Sequence, residues 1–166
     1  MSNCPTHKPL FQNKFFSLTP NPKKIELELF LSTSIPWVNT CSLPQTYPIL
    51  EALLPSIFNS RCFNEEYLPF CQEVRHTEIG HLFEHILLEY LSQIKFEQDR
   101  QKVIYSGTTA WDWEKYGAGV FLIKIDAGQK DVKIVKIALE KSVYLLSKIM
   151  DSQFSSTPQT LTQFSP

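Results

Sequence analysis

The sequence predicts an α+β fold, a two-layer domain in which a mainly antiparallel sheet packs on two long helices. A period-2 run near the start reads as a strand. Two later runs with helical spacing read as long helices, and between them two β-rich segments flank a glycine-bearing loop. The order β, α, α, β, β, α places both long helices on one face of the sheet.

In "KKIELELFLS", Ile25, Leu27, Leu29 and Leu31 alternate with Glu26 and Glu28, the pattern of a half-buried strand. "TYPILEALLPSIF" predicts a short helix with Pro48 near its start and Pro55 bending or ending it. After the irregular "NSRCFNEEYLPFCQEVR", a long helix is expected from about Thr77 to Phe96, with Thr77 as N-cap. "KVIYSGTTAWDWEKYGAGVFLIKID" predicts a β-hairpin, with strands at Val103 to Tyr105 and Val120 to Ile125 and a loop carrying Gly107, Gly117 and Gly119. The last helix follows from Val132, Val135, Leu139, Val143 and Leu146, with Asp131 as its cap. Residues 1–22 have no clear period and residues 152–166 are rich in Ser, Thr and Gln, so an N-terminal arm and a C-terminal tail are expected around a single domain over 23–151.

Composition narrows the function classes. The chain has 166 residues, 43% hydrophobic, enough for one stable core. Its formal charge of -1 gives no global attraction to nucleic acid or to an anionic membrane. No leader with an apolar centre and no run of about 20 apolar residues is evident, which leads to the expectation of a cytoplasmic protein with neither a nucleic-acid nor a membrane partner. Cys4, Cys41, Cys62 and Cys71 form no C-x-x-C pair, so free thiols are expected, with Cys62 or Cys71 available as a soft metal ligand.

The chemistry concentrates in "GHLFEHILLEYL", residues 80 to 91. At about 100° per residue, His85 falls about 40° from His81, and Glu84 flanks the same stripe at about 300°, while Leu82, Phe83, Ile86, Leu87 and Leu91 take the opposite arc. Two imidazoles one turn apart can grip one cation, and Glu84 can take a proton from a water beside it. This is H-x-x-E-H, the inverzincin order of the zinc-peptidase motif. The expected cofactor is zinc or another divalent metal, with His81 and His85 as ligands, Glu84 as the catalytic base and Glu89 orienting His85 from outside the ligand set. Glu89 lies about 12 Å along the axis from His81, too far to share a metal with it. Asp126, Glu140, Glu78 or a cysteine supplies the third ligand. The opposing reading is a solvated polar stripe, since an amphipathic helix needs one in any case.

With "LEALLPSIFNSRCF", "IGHLFEHILLEYL", "YSGTTAWDWEKYGAGVFLIKID" and the helix after them, the chain resembles the N-terminal domain of cyanophycin synthetase over roughly residues 43 to 150. The specific element is G-H-x-x-E-H-x-x-x-E, Gly80 to Glu89. The resemblance implies a domain that anchors an arginine-decorated poly-aspartate, and in some members a metal-dependent site that cuts that polymer. The helix–hairpin–helix layout is also similar to one lobe of pitrilysin-type metallopeptidases, whose third ligand is a Glu from a later helix. Two departures stand out. The length and the lack of G-x-x-x-x-G-K-[ST] leave no place for the synthetase's ligase domains, so a stand-alone relative is expected, and the family's arginine-containing loop is replaced by "SGTTAWDW".

In that loop Trp111 and Trp113 flank Asp112, as a wall that stacks on a substrate arginine with Asp112 as charge partner, or as a pair that packs the hairpin over the sheet. The expected function is therefore metal-dependent hydrolysis of a peptide or isopeptide bond in a poly-amino-acid substrate such as a cyanophycin-like polymer. The alternative is a non-catalytic polymer- or peptide-binding module.

Overall fold

The computed structural model describes residues 9–21, 26–32, 38–62 and 67–155. Five antiparallel strands form one sheet: β1 (Phe11–Gln12), β2 (Phe16–Asn21), β3 (Glu26–Leu31), β4 (Ser106–Ala110) and β5 (Val120–Asp126), in the order β1-β2-β3-β5-β4. The helices are α1 (Thr46–Leu53), α2 (Phe70–Glu73), α3 (Ile79–Asp99), α4 (Trp113–Tyr116) and α5 (Val132–Ser155). The α+β class and the two long helices, α3 and α5, are as the periodicity predicts.

The register explains the layers. Leu27 pairs with Ile123 and Leu29 with Phe121, so these four buried side chains share one face, which α3 covers. Phe16 of β2 adds its ring to Phe83 of α3 at 6.5 Å. The α5 helix packs beside α3, and its Ser147 accepts a hydrogen bond from Asn13 in the β1–β2 turn.

One contact brings α3 unusually close to the sheet. A Cβ on Gly80 would lie well inside van der Waals contact of the Phe121 Cβ and ring, so only glycine lets the first turn of α3 rest on β5. Phe121 also takes the edges of Trp111 and Trp113 at 6.2 and 6.3 Å, which gathers the hairpin loop onto the same spot.

Several boundaries differ from the periodicity. Residues 11–21 are not an arm: β1 and β2 complete the sheet, with Phe15, Phe16 and Leu18 buried. The prolines and the two-residue β1 hide that alternation. Ile25 and the tail beyond Ser155 lie outside the described residues. In the hairpin, β4 is the polar run Ser106–Ala110 rather than Val103 to Tyr105, because Tyr105 turns away to donate to Asp131. Asp131 stands immediately before α5, and its carboxylate accepts from Lys95 and Tyr105, tying the end of α3 to the start of α5. Val132 is 58% exposed, and the buried stripe of α5 runs through Ile134, Ala138, Leu145 and Ile149 together with Val143 and Leu146. Among the described residues no helix is long and apolar enough to cross a membrane.

Gly80→Ala is expected to destabilise the fold. Alanine gains about 1 kcal/mol in helix propensity. Overpacking against an atom as immobile as Phe121 Cβ costs about 1–3 kcal/mol or more and outweighs it. Urea denaturation should show the loss; an unchanged midpoint would refute the close-contact account.

Candidate metal centre

The first two turns of α3 carry the site, and the helix is enclosed on both faces there. Ile79, Leu82, Phe83, Ile86 and Leu87 enter the core, while His85 is 6% and Glu84 5% exposed and His81 is half-buried. A solvated stripe is excluded by that burial. Polar side chains enclosed to this degree need partners, and each has one.

His81 and His85 face each other with Nε2 atoms 3.1 Å apart. Cys62, 2% exposed in the segment between α1 and α2, brings its Sγ to 3.3 Å from His85 Nε2. The three ligand atoms lie within 4.8 Å of one another, and Cys62, His81 and His85 form a group that can hold a metal ion. One thiol and two imidazoles suit zinc and other borderline or soft cations.

The outer nitrogens are held by hydroxyls. Ser60 donates to the Ile57 carbonyl at 2.7 Å, so at 3.2 Å it accepts the His85 Nδ1 proton, which leaves the His85 Nε2 lone pair facing Cys62 and His81. Thr77 Oγ1 lies 2.7 Å from His81 Nδ1. Thr77 was expected to cap α3, but the N-cap position falls to Glu78, whose side chain makes no capping bond, and the Thr77 hydroxyl serves the histidine instead. The ring of Phe70, the first residue of α2, stacks on His85 at 4.0 Å, 15° from parallel, which fixes the plane of the imidazole.

The electrostatics favour neutral, unprotonated imidazoles. Burial, and then the neighbouring His81, push His85 down to about 3. Burial also lowers His81, against the opposing charges of Glu73 and Glu78. Burial pushes the Cys62 thiol up, and a hydrogen bond to Glu73 and the charges of Glu73 and Glu84 push it further. The thiol therefore keeps its proton at neutral pH until a cation displaces it.

Glu84 points from the same helix toward β4. Thr109 Oγ1 donates to Glu84 Oε2, and burial raises the carboxyl above its ordinary value while that hydrogen bond opposes the rise. Glu84 Oε1 lies over Gly107, where a Cβ would come within 2.9 Å of it.

Among the residues proposed for the third ligand, Cys62 is the one that joins the histidines. Asp126 and Glu140 are exposed, on β5 and on the outside of α5, and Glu78 sits at the start of α3 as a charge acting on His81. Glu89 does not orient His85. It accepts from Gln93, and Ser60 holds His85 Nδ1. Asp112 caps α4 by accepting from Lys115 N at 3.0 Å, and both indoles lean edge-on against Phe121, with Trp111 still 42% exposed. Ser60, Phe70 and Thr109 were not singled out beforehand. They lie far from His85 in sequence or belong to types too common to signal a site. No family model matches the chain, and no curated protein matches it.

The pKa of His85 sets a pH dependence. Unfolded, the ring titrates near 6.5; folded, it titrates at about 3. Between those values the unfolded chain binds the extra proton, so His85 favours folding fully above about 6.5 and less as pH falls toward 3. The urea midpoint of chelator-treated protein should therefore fall between about pH 7 and about pH 5, with a smaller fall in His85→Gln. A midpoint that stays level over that range in the wild type would contradict the assignment.

Proposed function

We propose that the chain is a zinc-dependent hydrolase of a peptide or isopeptide bond, with Cys62, His81 and His85 as ligands and Glu84 as general base. The convergence of three ligand atoms, with the buried Glu84 carboxylate near enough for its charge to act on the Cys62 thiol, carries this reading. Zinc in such a set supplies Lewis acidity and makes hydroxide available near neutral pH. Glu84 takes a proton from the attacking water, whose oxygen bonds to the scissile carbonyl carbon. The C–N bond then breaks, and Glu84 passes its proton to the leaving nitrogen. Burial raises the proton affinity of the carboxyl, the direction that proton uptake from water requires.

An extended poly-amino-acid substrate suits the surroundings. The β4 strand ends the sheet order, its side away from β5 is unpaired among the described residues, and Thr109 on that strand touches Glu84. The resemblance to the cyanophycin synthetase N-terminal domain suggests an arginine-bearing aspartyl polymer as the first substrate to offer. The alternative, a polymer- or peptide-binding module with a structural metal, draws on the depth of Cys62 and His85.

Protein never exposed to chelator should carry close to one zinc per chain by elemental analysis, and Cys62→Ser and His85→Ala should each lose it. Retention of zinc in Cys62→Ser would remove the thiol from the ligand set. Glu84→Gln keeps the size of the side chain but not the basic oxygen, so it should retain zinc and lose turnover by about 10²- to 10⁴-fold on the polymer and on isopeptide-branched aspartyl peptides. Polymer binding with no cleavage by either protein would favour the module.

A further inference from the structure

We infer that Thr109, on the edge strand and outside the H-x-x-E-H element, is the positioning residue for Glu84, with Gly107 keeping clear the space that the carboxylate occupies. The inference rests on the hydrolase reading and adds to it the part that aims the base. A glutamate on a helix swings about three single bonds, and a general base acts only from within hydrogen-bond reach of its proton. The chemistry thus needs something to stop that swing. Nothing in H-x-x-E-H supplies it, because the two histidines are engaged with each other, with Cys62 and with the hydroxyls of Ser60 and Thr77.

The sheet supplies it. Thr109 is paired with Ile123 and Gly107 with Ile125, so both are held by the β4–β5 ladder, and both lie on the face turned to α3. The Thr109 hydroxyl donates to Glu84 Oε2 and fixes that oxygen. The other oxygen, Oε1, keeps its lone pairs for the proton of the attacking water. It can lie over β4 only because position 107 has no side chain, since a Cβ there would stand 2.9 Å from Oε1 and 2.9 Å from the Lys124 carbonyl. The two oxygens are thus divided between anchoring and proton transfer, and the division is made by alternate residues of one strand. Thr109 touches Glu84 rather than the reacting atoms, so it acts through the base.

The test is a kinetic double-mutant cycle on a quenched isopeptide-branched aspartyl peptide carrying arginine. Thr109→Val should lower kcat roughly 10- to 100-fold, the scale of one hydrogen bond to a charged group, with KM and zinc content unchanged. Thr109→Ser should restore most of the loss. In a Glu84→Gln background Thr109→Val should add no further loss. Wild-type kcat in Thr109→Val beside an inactive Glu84→Gln would overturn the inference alone, as would an equal fold-loss in both backgrounds. Wild-type turnover in Glu84→Gln would bring down the hydrolase reading and with it any base for Thr109 to position. If Thr109→Val does not fold, Gly107→Ala serves as second variant: zinc retained with kcat lowered supports the inference, and zinc retained with wild-type kcat overturns it.

Discussion

The close approach of Gly80 to Phe121 is the constraint from which the site follows. It sets the first turn of α3 directly on β5. At that distance the residues one turn later meet the sheet and the loops around it rather than water. Glu84 then falls against Gly107 and Thr109 of β4, and His85 falls against Ser60, Cys62 and Phe70 on the other side. A wider spacing would leave the Thr109 hydroxyl out of reach of the carboxylate. The same phenylalanine gathers Trp111 and Trp113, so the hairpin loop, the edge strand and the helix share one anchoring ring.

The far end of α3 is fixed by different chemistry. Lys95 lies between Asp99 at 2.7 Å and Asp131 at 3.0 Å, and Asp131 also accepts from Tyr105. Tyr105 immediately precedes β4, so this polar knot and the Gly80 contact hold the two ends of the interval in which the site lies. The apolar contact sets the distance from the sheet, and the polar one fixes where the chain enters β4.

Periodicity exposed what depends on neighbouring residues. The α3 stripe, the alternation in β3, the β5 run and the length of α5 are patterns within one segment, and each element appears where its pattern lies. His81, Glu84 and His85 were legible for the same reason, as three side chains on two turns of one helix. The rest depends on contacts distant in sequence. Cys62 stood out only as a thiol able to bind a soft metal, and its place opposite His85 is set by the fold of the segment before α2. Ser60 and Thr109 each lie 25 positions from the residue they serve, and neither type is rare enough to signal a role. The early strands are hidden by their own composition, and the lysine and tyrosine that share the Asp131 carboxylate come from other parts of the chain.

The two hydroxyls behind the histidines are not equivalent. Ser60 spends its proton on the Ile57 carbonyl and can only receive from His85, whereas the hydroxyl of Thr77 can rotate to give or to take at His81. His85 is therefore locked in one tautomer while His81 is free to exchange. With the thiol protonated, Thr77 can donate inward and His81 can offer its inner N–H to His85; when a cation takes the inner lone pairs, His81 can carry its proton on the outer nitrogen and pass the hydrogen bond back to Thr77. The hydrogen on His81 can thus adjust to what occupies the centre of the cluster, whereas the one on His85 stays fixed.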